Sequence, residues 1–242
     1  MTTVTQARVL FRWLARGGLR VLAITLLIAT VVAAALAAVA LWQDWPEVAH
    51  APTDADGTVV IGFTTTIFGI PLAAVAIAAF VVSIATVGSF TRPLLATGAT
   101  RSALALAHLA HVLLLALAAS ALAAAVLALE AAFAGGWIGS TFGLAPGDTF
   151  ADGVPALVQG FLGALAGLVA GSLVAALFLR WPWWVGVGAL AVTLWVLPVV
   201  VASVPPLEAA ASAVAAWPWS PGAGAVLLAA AHWLVMRRMP VP

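Results

Sequence analysis

An all-α integral membrane protein with six transmembrane helices is the fold class that three features of this 242-residue chain predict. Its composition is 65% hydrophobic and 7% charged, whereas charged residues make up about a quarter of a soluble domain. Its apolar runs reach the length of about 20 residues that a bilayer-spanning helix consumes, which leaves only short connections and a single transmembrane domain, 1–242. Its charges alternate between the gaps. Arg8, Arg12, Arg16 and Arg20 precede the first run, Arg92 and Arg101 lie between the second and third, Arg180 between the fourth and fifth, and Arg237 and Arg238 after the last. Asp44, Glu47, Asp54, Asp56, Glu130, Asp148, Asp152 and Glu208 occupy the other gaps. Arginine-bearing segments resist translocation, so both termini are expected in the cytoplasm and the spans are even in number.

Residues 3–17 carry Arg8, Arg12 and Arg16 at intervals of four, interleaved with Val9, Leu10, Phe11, Trp13 and Leu14. On a helix this gives a basic stripe and an apolar stripe, the pattern of an interfacial anchor with arginines toward anionic lipid and Phe11 and Trp13 in the acyl boundary. Gly17 and Gly18 are expected to bend the chain before a first span of about 20–42. That run is longer than the roughly 7–15 apolar residues of a signal peptide, so it reads as a retained helix. An acidic connection leads to the second span, about 63–87, where Pro71 invites a kink. The third span covers about 103–129 and is followed by a Gly-, Trp- and Pro-containing exterior loop. In the fourth, about 156–179, Gly163, Gly167 and Gly171 line one face and permit close helix packing. The turn Arg180 to Trp184 opens a fifth span of about 184–201. Residues 205–218, bracketed by prolines and too apolar for a water-exposed loop, suit a re-entrant exterior helix before the last span, about 223–236. Most of the eleven tryptophans fall near these boundaries, as an interfacial belt requires.

Absent residue types exclude chemistry. The chain has no Cys, no Tyr and, since all nine basic residues are arginines, no Lys. Disulfides, thiol nucleophiles and iron–sulfur ligation are excluded, as is a Walker A lysine, so the chain is not expected to be an enzyme or to hydrolyse ATP. Arginine without lysine on an alanine-rich background is the usage of a GC-rich genome and points to a bacterial source. His108 and His111 share a face of the third span, but two donors fall short of the three or four a metal site needs. Ser172 and His232 stand in the fourth and sixth spans, the helices that supply Ser and His in rhomboid proteases. That family's Gly-x-Ser-Gly is not matched by Gly171-Ser172, and nothing marks an oxyanion donor set. No catalytic, cofactor or metal site is therefore assigned. The connection Arg92 to Arg101 has two charges and an apolar face, more than a topology signal needs, and suits docking of a cytoplasmic protein.

The order of these parts resembles the permease subunits of type-2 ABC exporters over nearly the whole chain. Those proteins begin with an interfacial helix, continue with six spans, and place a cytoplasmic coupling segment between spans two and three and a re-entrant segment between spans five and six. Arg92-Pro93-Leu94-Leu95-Ala96-Thr97-Gly98-Ala99-Thr100-Arg101 looks like the Leu-x-x-Gly-x-x-Arg stretch of small bacterial permeases. Glu130 with Gly135-Gly136-Trp137 looks like a Glu and Gly-Trp pattern after their third span. The resemblance implies a homodimer or a heterodimer with a second permease in the bacterial cytoplasmic membrane, bound to two cytoplasmic ATPase subunits. It implies export of a hydrophobic or amphipathic molecule, with Arg92, Pro93, Leu94, Leu95, Gly98 and Arg101 coupling ATPase closure to the helices. No nucleic-acid partner is expected. The rival readings are a secondary carrier, which would show buried ionisable groups, and a non-transporting scaffold or sensor.

Overall fold

The computed structural model describes residues 2–42, 69–132, 142, 144, 147–192 and 196–239, and among these every regular element is an α-helix. The helices are α1 (Thr3–Trp42), α2 (Gly69–Ala96), α3 (Arg101–Ala132), α4 (Phe150–Arg180), α5 (Trp183–Ala191), α6 (Leu197–Ser203), α7 (Pro205–Ala216) and α8 (Ser220–Arg237). Four stretches, Thr3–Ala35, Gly69–Ala96, Arg101–Ala132 and Phe150–Arg180, are long and apolar enough to cross a bilayer. Their outward faces are apolar: Leu27 on α1, Ile77 on α2 and Leu117 on α3 are each more than half exposed. Rows of exposed aliphatic side chains have no place in water and belong against lipid. The protein is thus an all-helical, multi-pass membrane protein.

One element departs from the sequence reading at its start. Where a bend at Gly17 and Gly18 is expected to separate an interfacial helix from the first span, α1 is helical through both glycines, for 40 residues. The physical reason is a shared buried stripe. Ala7, Leu14, Gly18, Leu22, Ala29 and Ala33 are all buried and recur at helical spacing across the expected break. Gly18 serves close approach: a Cβ there would strike Cε1 of His111 and lie 3.0 Å from its Nε2, whereas one at Gly17 would meet nothing within 4 Å.

The other elements start and stop for local reasons. The described part of α2 opens at Gly69, with Pro71 in its first described turn. The part of the predicted second span before residue 69 lies outside the described residues. Before α4, the Thr149 N–H and hydroxyl both donate to the Asp152 carboxylate, at 2.7 and 2.8 Å, a form of capping box. The predicted fifth span is covered by α5 and α6, with residues 193–195 between them outside the described set. A helix does form where the re-entrant segment is expected, as α7; Pro205 and Pro206 open it and extended backbone at Val204 and Trp217 bounds it. α8, at 18 residues, is about 27 Å long, just under the hydrocarbon thickness of about 30 Å.

Contacts divide the chain into two compact units. Unit 1 comprises Met1–Gly18, Phe80–Ala116 and Leu162–Pro242. Its core packs Val87 and Leu95 of α2, Leu104 and Ala105 of α3, Ala175 and Ala176 of α4, and Val235 and Met236 of α8. Unit 2 comprises Leu19–Ala79 and Leu117–Phe161. Within it a Cβ at Gly153 would strike the buried Leu127, and the Phe142 N–H donates to the buried carboxylate of Glu130 at 3.2 Å. Glu130 is therefore buried and bonded to Phe142 rather than sitting in solvent.

Candidate functional site

Every arginine except Arg20 belongs to unit 1; Glu130, Asp148 and Asp152 belong to unit 2 and Glu208 to unit 1. The start of α1, the end of α2, the start of α3 and the end of α4 meet in unit 1. The connection between α2 and α3 lies in this arginine-rich unit.

That connection is far tighter than the predicted segment. Arg92 to Ala96 are the last turns of α2, Arg101 is the first residue of α3, and only Thr97 to Thr100 lie between. Two bonds close the end of α2: Ala99 N–H to the Leu94 carbonyl at 3.0 Å and Gly98 N–H to the Leu95 carbonyl at 3.1 Å. This is a Schellman arrangement, and Gly98 takes the positive φ of +91° that it demands. Thr100 then caps α3, its hydroxyl oxygen accepting from the Ala103 N–H at 3.2 Å. Pro93 stands inside the last turn of α2 and leaves the Ser89 carbonyl without its helical donor.

The turn is braced on two sides. The Thr100 N–H donates to Oε1 of Gln6 on α1 at 3.3 Å, and the Arg92 guanidinium donates to the Leu179 carbonyl at the end of α4 at 3.2 Å. The second contact places a cation on the negative end of a helix dipole. Two residues before Arg92, Phe90 meets Trp13 of α1 edge-on at 4.6 Å between ring centroids. Movement of the turn would thus be passed to α1 and α4 as well as to its own helices.

Each predicted site residue has a definite place. Arg92, Pro93 and Gly98 are exposed and Arg101 is half-buried, but Leu95 is buried in the core and Leu94 packs against it. The apolar face assigned to docking is therefore turned inward; the outward surface is Arg92, Pro93, Ala96, Thr97, Gly98 and Thr100. Arg8, Arg12 and Arg16 form an exposed basic stripe on α1, with Trp13 half exposed against Phe90. Of the three glycines assigned to packing, Gly171 meets a neighbour, Phe80, with 2.8 Å from a built Cβ to the ring, while Gly163 and Gly167 are exposed and meet nothing within 4 Å.

A polar node in unit 1 was not legible from spacing. His108 and His111 on α3, Ser172 on α4 and His232 on α8 are each at most 1% exposed, and none of their side-chain nitrogens or the Ser172 hydroxyl makes a hydrogen bond within the protein. The His108 and His232 ring centroids are 6.2 Å apart. His232 lies beside the Ser172 backbone, yet no Ser–His hydrogen bond forms and no catalytic dyad is assembled. No group of three or more His, Asp or Glu side chains among the described residues is disposed to hold a metal ion.

Comparison with protein-family models, with curated proteins and with solved structures gives no match to this chain.

Proposed function

We propose that this chain is the permease subunit of an ATP-binding cassette exporter, crossing the bacterial cytoplasmic membrane six times with both termini inside. The observation that carries the reading is the α2–α3 turn, capped at both ends and tied to α1 through Gln6 and to α4 through Arg92. A rigid turn linked to four helices in the arginine-bearing unit is what an ATPase needs to push against. In this reading α5 and α6 together make the fifth span, α7 dips into the membrane from outside, and α8 is the sixth. Two permeases, identical or related, pair with two cytoplasmic ATPase subunits. The substrate class is hydrophobic or amphipathic, and the chain carries no cofactor.

Affinity purification of the tagged chain from gently solubilised native membranes, followed by mass spectrometry, tests this. A stoichiometric ABC ATPase supports the permease reading, and its absence with the chain intact removes it. One observation favours a second reading, a proton-coupled secondary carrier: three buried histidines are the ionisable groups such a carrier would use. Transport that follows a proton gradient and ignores ATP would support the carrier.

A further inference from the structure

Beside the α2–α3 turn, the start of α3 and the last turn of α8 enclose a pocket of about 370 Å³ lined by Leu95, Ala99, Thr100, Arg101, Ser102 and Arg237. We infer that this pocket binds a phosphate group, carried by an anionic lipid headgroup or as the free ion. The inference needs only the membrane setting and is independent of the transport reading.

Two guanidinium groups from different helices line the pocket and no carboxylate does. Two other arginines of unit 1 have contacts of their own: Arg92 donates to the Leu179 carbonyl, and Arg180 lies over the Trp181 ring at 4.4 Å. Arg101 differs. Its Nε is fully buried and makes no hydrogen bond within the protein. A half-buried guanidinium whose charge is not balanced within the protein is unfavourable, and an anion in the pocket would balance it. The same residue opens α3, where the first N–H groups have no carbonyl partner inside the helix and only that of Ala103 is taken up by Thr100. Helix start, two guanidinium forks and the hydroxyls of Thr100 and Ser102 together match the oxygens of a phosphate, for which arginine is the fitting cation. At a membrane surface, phospholipid headgroups present that chemistry at high local concentration.

The test uses the full chain in neutral detergent and native mass spectrometry, with phosphatidylglycerol or phosphatidylcholine added. One retained phosphatidylglycerol is expected on the wild type. Arg101→Gln with Arg237→Gln should lower retention about tenfold or more, the scale of one lost charge-assisted contact. Arg101→Lys with Arg237→Lys should keep much of it. The control pair Arg8→Gln with Arg12→Gln removes the same charge from the exposed stripe of α1 and should leave retention unchanged. Equal loss in both glutamine pairs, or no loss in either, overturns the site. If the double variant does not fold, Arg237→Gln alone alters only an exposed side chain in the last turn of α8 and should show a smaller loss in the same direction. Displacement of the lipid by inorganic phosphate assigns the free ion as a ligand; persistence assigns the headgroup.

Discussion

Gly17 and Gly18 are adjacent in one helix, yet alanine should have opposite effects at the two positions. In a helix interior alanine is favoured over glycine by about 1 kcal/mol, and at Gly17 nothing opposes that gain because a new Cβ meets no atom within 4 Å. At Gly18 the same Cβ would strike Cε1 of His111, lie 3.0 Å from Nε2 and sit 3.3 Å from Cδ2 of Leu115. His111 is 1% exposed and Leu115 fully buried, so neither can swing away without moving other core groups. Overpacking of that kind costs about 1–3 kcal/mol, which offsets or exceeds the helix gain. The two variants should therefore differ by about 2 kcal/mol, or roughly 4–8 °C in melting temperature for a chain of this size. Thermal unfolding of the purified protein followed by tryptophan fluorescence reads this directly. Gly17→Ala should melt above the wild type and Gly18→Ala below Gly17→Ala by that margin. Equal shifts, whether up or down, would refute the close approach of α1 to α3 and return the glycine pair to the role of a bend.

Three further substitutions test local devices. Gly98→Val forces a branched residue into φ +91° and should destabilise by about 1–2 kcal/mol, with Gly98→Asn milder, as measured by the same melting assay. Gly153→Ala drives a Cβ into Leu127, which is fully buried, and should cost about 1–3 kcal/mol, whereas Gly160→Ala, with open space around it, should not destabilise. Thr100→Val keeps the shape of the side chain but removes the cap on Ala103; a loss of about 1 kcal/mol is expected, seen as faster amide exchange over the first turn of α3.

The lipid-facing runs, the arginine gaps and the proline-bounded α7 are local features, and the sequence displays each within a window of a few residues. The alternation of arginines even anticipates which helix ends share unit 1. The start of α1 was misread because a basic amphipathic stretch and an apolar stretch look like different elements, although both present one buried stripe from Ala7 to Ala33. The turn at Thr97-Gly98-Ala99-Thr100, closed by its own caps, is shorter than the segment expected from the flanking arginines. The meeting of His232 with His108, 124 positions apart by their numbers, follows from tertiary packing alone. So does the burial of Leu95, which a sequence reading leaves free for a partner.

The absence of cysteine makes the sidedness of the chain directly measurable. Single cysteines at the exposed positions Thr97, Ala151 and Ser203 can be challenged in intact cells with a membrane-impermeant maleimide. The six-span reading predicts labelling of Ala151→Cys and Ser203→Cys from outside, and of Thr97→Cys only after the membrane is opened. Protection of Ser203→Cys together with Thr97→Cys, while Ala151→Cys is labelled, would leave α5 to α8 on the arginine side and contradict the six-span permease.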